Sequence, residues 1–232
     1  MSPQDPESFE LWMNVLRRTP GSVLWMLRPK EEAHLVELRE NLEREAAARG
    51  VHPSRLVFAE RMKKANHLQR HAAADLLLDT LVYGAHSTAT DALRGGLPLL
   101  TVRGDQFPTR VGLSLLKALD AGQEILAVDS LRDFEQTSVF LTTTPRGRRV
   151  LRRLRARLAE DGRGSRLFDT ARFTADLERA YHLVWEASAA ARSLAHHVVV
   201  VDAEAAPAVS VEYRAAPPVL DGVPELPGLW EE

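Results

Sequence analysis

Five short apolar runs decide what this chain can fold into. They occupy residues 22–27, 56–59, 76–78, 99–102 and 125–128, each bounded by proline, glycine, aspartate or another charged residue. Between them lie longer stretches whose apolar residues recur at helical spacing. A strand that reads as an unbroken apolar run is one covered on both faces, the condition of a parallel sheet packed between helices. Parallel neighbours also need a crossover of helix length. The predicted class is therefore α/β, a Rossmann-like parallel sheet with flanking helices. At 232 residues and 45% hydrophobic content the chain can bury a core without covalent staples.

The helical stretches carry start and stop signals. Asp5 is a suitable N-cap with Pro6 in the first helical position. Phe9, Trp12, Met13 and Leu16 then form one apolar stripe, and Pro20-Gly21 ends the helix. Residues 30–49 place Leu35, Leu38 and Leu42 on one face and stop at Gly50, a residue suited to a left-handed cap. Two more helices are predicted over residues 145–159 and 171–192, the second burying Phe173, Leu177, Tyr181, Val184 and Trp185. The expected domain is residues 1–200. Residues 203–232 hold five of the 13 prolines, six acids and one base, Arg214. They predict a poorly packed tail, preceded by a short strand at 198–201.

Composition removes several function classes. With 30 Lys+Arg against 32 Asp+Glu, the chain lacks the strong positive charge of a whole-surface nucleic-acid binder. No apolar run approaches the roughly 20 residues of a membrane span, and no signal-peptide pattern opens the chain. No nucleic-acid or membrane partner is expected. Cysteine is absent, which excludes disulfides, thiolate nucleophiles and cysteine–zinc sites. A reducing compartment, cytoplasmic and/or nuclear, fits this composition, as any compartment would.

Three segments carry groups capable of chemistry. The first, residues 83–91, reads Tyr-Gly-Ala-His-Ser-Thr-Ala-Thr-Asp after the third apolar run and opens a helix ending at Gly95-Gly96. Ser87, Thr88 and their amides would sit at a helix N-terminus, where free N–H groups and the dipole attract anions. His86 could add a proton donor, and Asp91, one turn on, could accept from a sugar hydroxyl. Ligands of doubly wound sheets bind at the carboxyl ends of strands, where this turn lies. An ordinary helix capped by Ser87 accounts for the same pattern equally well. The second segment follows the second run and puts Lys64, His67 and Arg70 on one helical face. That face could meet a phosphate or a base, although a solvated polar face explains it when viewed alone. The third is the run of seven arginines in residues 146–157, read as a solvated helix face. His196-His197 has no clustered ligands, and no metal-site spacing occurs.

The order and spacing of these segments resemble one family. Residues 22–28, Arg55-Leu56-Val57-Phe58, Asn66-His67-Leu68-Gln69-Arg70, residues 74–80 and residues 84–91 are similar to the C-terminal half of the catalytic region of the O-linked N-acetylglucosamine transferases. The similarity continues through Gly96-Leu97-Pro98-Leu99-Leu100-Thr101, Arg110-Val111-Gly112, Leu167-Phe168-Asp169-Thr170 and residues 177–181 to Trp185. These are nucleotide-sugar enzymes of the GT-B fold, so the resemblance implies the C-terminal, donor-binding lobe. It implies that Lys64 contacts the nucleotide, that His67 packs against it, and that Arg70 lies near the uracil. His86, Ser87 and Thr88 match the His-Thr-Thr that holds the diphosphate, with Ser87 keeping the hydroxyl. Asp91 matches the acid that binds the ribose. Gln69 replaces a usual arginine.

One departure is an absence. The family lysine that stabilises the leaving diphosphate falls at Pro3. The resemblance implies transfer of N-acetylglucosamine from UDP-N-acetylglucosamine to Ser/Thr of proteins, with no metal and no cofactor beyond the donor substrate. No catalytic residue is assigned within this lobe. The N-terminal catalytic lobe and the tetratricopeptide repeats of a full enzyme are expected as partners, and the chain alone is expected to be inactive or weakly active. The rivals are a SPINDLY-like O-fucosyltransferase using GDP-fucose and a catalytically silent nucleotide-binding scaffold.

Overall fold

The computed structural model describes residues 5–119, 123–161 and 164–190. Expectations about Pro3, the strand at 198–201, His196-His197 and the tail lie outside those residues, as does the domain boundary near residue 200.

Helix α1, Pro6–Arg18, starts as the sequence dictates. The Asp5 carboxylate accepts from the Ser8 amide at 2.7 Å, and the Ser8 hydroxyl donates to its other oxygen. Phe9, Leu11, Trp12, Met13, Val15 and Leu16 are all buried, each contributing on the order of 1.5–3 kcal/mol. Strand β1, Leu24–Leu27, pairs in parallel with β2, Leu56–Ala59, in the register Leu24 opposite Leu56. Helix α2, Glu32–Ala48, connects them. It ends with Gly50 at φ +73°, the Gly50 amide donating to Ala47 and the Val51 amide to Ala46. This double bond closes the carbonyl end of the helix, as expected of a left-handed glycine.

Helix α3, Lys64–Arg70, runs into a short 3-10 turn, His71–Ala73, and leads to β3, Leu77–Leu78. Helix α4, Ser87–Arg94, then precedes β4, Leu99–Val102. Helices α5, Phe107–Leu119, and α6, Gln123–Leu126, lead to β5, Ala127–Val128. The order β3-β4-β5 is parallel throughout, and β1-β2 forms a second hydrogen-bonded ladder. The α/β class and parallel pairing follow the sequence. Leu99, Leu100 and Thr101 of β4 are buried in succession, so both faces are covered.

Three local expectations are corrected. Residues 125 and 126 belong to α6 rather than to a strand; Leu126 reaches the core from a helical turn. A short apolar run serves either geometry. Helix α7, Leu131–Thr143, was not foreseen. Its Ser130 N-cap accepts from the Asp133 amide at 3.0 Å, and Phe134 and Leu141 are fully buried. Helix α8, Pro145–Asp161, buries Leu151, Leu154 and Leu158 beneath its arginines. The chain divides into two compact units, Met1–Asp169 and Thr170–Glu232. Helix α9, Thr170–Ala190, belongs to the second, and its Phe173, Tyr181 and Trp185 are 64%, 66% and 75% exposed, contrary to the expected burial. Leu177 and Val184 are exposed as well. An apolar stripe on one helix is buried only by a second element, and among the described residues of that unit α9 is the sole element.

Candidate functional site

The loop from β3 to α4 is built around a buried carboxylate. Asp79, directly after the strand, is 3% exposed. Its Oδ1 accepts from the Thr80 amide at 2.9 Å and the Ala85 amide at 2.7 Å. Burial pushes its pKa up, while the Ala85 amide and the Thr101 hydroxyl pull it back toward the ionised form. Gly84 lies so close that an added Cβ would meet the Pro108 carbonyl oxygen at 2.9 Å.

His86 occupies the N-cap position of α4 without a side-chain capping bond. Its Nε2 is 3.1 Å from the Pro108 carbonyl. A carbonyl only accepts, so Nε2 carries the proton in the neutral ring, and Nδ1 faces the Tyr83 hydroxyl at 3.5 Å. Tyr83 stacks on the imidazole, with ring centroids 4.7 Å apart. The donor that the sequence offered to a ligand is thus directed to Pro108. Ser87 is the first helical residue rather than the cap. Ser87 and Thr88 are exposed, and the first-turn amides of α4 have no intrahelical acceptor.

The second candidate segment meets the first. Lys64 Nζ is ion-paired with Asp91 Oδ2, joining the start of α3 to the second turn of α4. Arg70 donates to His67 Nδ1 at 2.7 Å and to the Glu60 carbonyl at 2.5 Å, and its guanidinium lies over the Trp25 ring at 5.2 Å. Burial, reinforced by Arg70, holds the His67 pKa below its ordinary value. Burial does the same for His71, whose ring stands edge-on to His67 at 4.7 Å. At neutral pH the positive charge of this face therefore resides on Lys64 and Arg70.

The far end of α4 fixes how the two helices approach. A Cβ on Gly95 would come within 2.8 Å of His71 Cβ and the Leu68 carbonyl, so only glycine permits this contact. Gly96 has φ +78°, and the Leu97 amide closes the helix on Ala92 at 2.9 Å. Gly95 and Gly96 thus serve two different needs. From the arginine run, Arg155 turns inward and donates to the Ala72 carbonyl at 2.8 Å and to the Ala74 carbonyl. Arg146, Arg148, Arg149, Arg152 and Arg153 are exposed, as expected of a solvated face.

Of the seven predicted site residues, six thus lie on α3 and the first turns of α4 and His86 occupies the N-cap of α4, all in the connections that follow β2 and β3. The sequence reading had assigned no role to Trp25, His71, Asp79, Tyr83 or Pro108. Asp79 had a readable signal, a carboxylate ending an apolar strand where a ligand loop departs. The others depend on long-range packing. Among the described residues no group of three or more His, Asp or Glu could hold a metal, and no helix is long and apolar enough to cross a membrane.

Comparison with known proteins places the chain in a family. The model of glycosyl transferase family 41 matches residues 3–177. An Arabidopsis thaliana protein named "Probable UDP-N-acetylglucosamine--peptide N-acetylglucosaminyltransferase SEC" is 36% identical over 183 residues, 78% of this chain and 18% of that protein. The UDP-N-acetylglucosamine--peptide N-acetylglucosaminyltransferase of Caenorhabditis elegans is 30% identical over 182 residues, 78% of this chain and 15% of its own length. A point variant of the Thermobaculum terrenum O-GlcNAc transferase superposes with a TM-score of 0.69 at 28% identity, covering 78% of this chain and 33% of that one. The chain spans less than a fifth of the length of these two curated relatives. With that match over most of its residues, and a parallel α/β fold shared with a solved O-GlcNAc transferase, the chain belongs to glycosyl transferase family 41.

Proposed function

We propose that this chain is the donor-binding part of a protein O-GlcNAc transferase, which moves N-acetylglucosamine from UDP-N-acetylglucosamine to Ser/Thr hydroxyls of proteins. The observation that carries this reading is the Lys64–Asp91 ion pair, which joins the basic face of α3 to the exposed start of α4. The diphosphate is assigned to the first-turn amides and the hydroxyls of Ser87 and Thr88, with Lys64 supplying charge. Asp91 receives the ribose hydroxyls. The uracil falls to His67 and Arg70, whose guanidinium Trp25 and the Glu60 carbonyl already hold in place.

In the transfer, the acceptor oxygen attacks the anomeric carbon and the bond to the diphosphate oxygen breaks. Negative charge then gathers on departing UDP, where preorganised amides and a cation act most strongly. Neutralisation is assigned to α4 and Lys64 rather than to a metal. The acceptor-side groups and the base are assigned to sequence beyond the matched region, because the relatives are far longer. The chain by itself binds UDP and transfers little, since transfer needs donor, acceptor and base in near-attack geometry. A cytoplasmic and/or nuclear setting is proposed with this reading, and the cysteine-free composition is compatible with it.

Calorimetry with UDP tests the assignment. Wild type binds, and Asp91→Ala and His67→Ala each weaken binding by about tenfold, the equivalent of one good interaction. Binding by wild type with neither variant weakened places the nucleotide elsewhere.

A further inference from the structure

We propose that Asp79 is a positioning residue for the donor: its carboxylate shapes the loop of residues 80–86 so that the first turn of α4 is presented to the diphosphate. The proposal rests on the nucleotide-binding reading above. The loop is tied down at several points. The Leu81 amide donates to the Ser8 hydroxyl at 2.9 Å, on α1. The Gly84 amide and His86 Nε2 both reach the Pro108 carbonyl at 3.1 Å, on α5. Thr80 and Ala85, one at each end of the loop, both donate to Asp79 Oδ1. Asp79 is therefore the anchor that joins the loop's two ends. Ala85 lies two residues before Ser87, so the orientation of its peptide is passed directly to the start of α4.

The sign of the charge makes the role specific. A buried anion beneath an anion site opposes the ligand, so Asp79 does not serve as a charge for UDP. Its use is as a double acceptor for two half-buried amides that would otherwise lack a protein partner, a costly arrangement. The space around it is matched to that use: a Cβ on Gly84 would stand 3.3 Å from Oδ2 and 2.9 Å from the Pro108 carbonyl. A positioning role thus predicts that the acceptor oxygen matters and the charge does not. Asparagine keeps Oδ1 and should substitute; alanine should not.

The test combines UDP calorimetry with amide hydrogen exchange on the whole chain. The variants are Asp79→Ala, Asp79→Asn, Gly84→Ala and, as a destabilised control in α7, Leu141→Ala. Asp79→Ala should speed exchange at the Thr80 and Ala85 amides and weaken UDP binding, each by about 10-fold or more. Asp79→Asn should stay within about 3-fold of wild type. Gly84→Ala should weaken binding as Asp79→Ala does, while Leu141→Ala lowers the melting temperature and leaves UDP affinity unchanged. Wild-type affinity in Asp79→Ala, equal losses in the alanine and asparagine variants, or an equal loss in Leu141→Ala overturns the proposal. If Asp79→Ala does not fold, Gly84→Ala and Asp79→Asn decide: weakening in the first with retention in the second supports it, and any other pattern overturns it. If wild type does not bind UDP, the functional reading fails on its own, and exchange at Thr80 and Ala85 still decides whether Asp79 holds the loop.

Discussion

Replacing Arg155 by alanine tests how the basic half of the site is held in place. Arg155 projects from α8 and donates to the carbonyls of Ala72 and Ala74, at the end of the segment that carries Lys64, His67 and Arg70. A third carbonyl, that of Asp75, lies at the margin of bonding distance, 3.5 Å. Hydrogen bonds from a charged donor contribute about 1.5–3 kcal/mol each. The contacts are only partly buried and water recovers some of the loss, so about 2–3 kcal/mol in total is expected. A unit of this size loses about 2–4 °C of melting temperature per kcal/mol, so the midpoint should fall by roughly 4–12 °C in a circular-dichroism melt. Arg155→Lys should recover less than half, because an ammonium cannot fork across several carbonyls as a guanidinium does. A fall of under about 1 °C, or full recovery by lysine, would refute the view that Arg155 braces α3.

Other outcomes follow from single contacts. Gly96→Ala forces a β-carbon into φ +78° and should cost about 1 kcal/mol in urea denaturation. Phe134→Ala, at a fully buried position of the helix absent from the sequence reading, should cost about 3–5 kcal/mol by the same assay. Burial holds His67 and His71 below their ordinary pKa of 6.5, so the unfolded chain binds protons there before the folded chain does. Their contribution is complete above that value and is lost as pH falls through it toward the lower folded values. The melting temperature of wild type should therefore drop between about pH 7 and about pH 5, and a His67→Gln, His71→Gln double variant should drop less.

Strand limits were most legible where the apolar run was unbroken, although only β4 is buried in succession while β2 buries Leu56 and exposes Val57. Residues 56–59 and 99–102 form β2 and β4 with the predicted limits, because continuous apolar character has one main use between helices. The run at 125–128 failed at its first half, where Ile125 and Leu126 pack from a helical turn. Helix α7 was hidden because Val139, Thr142 and Thr143 speak for extended structure; its burial of Phe134 and Leu141 overrides local preference. Within the site, Lys64, His67, Arg70, Ser87, Thr88 and Asp91 were legible from periodicity and from the strand-end rule. The ion pair between Lys64 and Asp91 was not, since 27 residues separate them and only the packing of α3 on α4 brings them together. The engagement of the His86 ring with Pro108 was invisible for the same reason.

The central claim is that the first turn of α4, with the adjoining face of α3, holds a uridine diphosphate. Amide chemical-shift mapping of the isotopically labelled chain during UDP titration tests it most directly. The largest changes are expected at Ser87, Thr88 and Ala89, with smaller ones at Lys64, His67 and Arg70. A separate hollow of about 650 Å³, lined by Glu10, Arg18 and Arg49 with Glu135, offers the contrasting outcome. Saturable shifts confined to that hollow, with the α4 amides unmoved, would contradict the account.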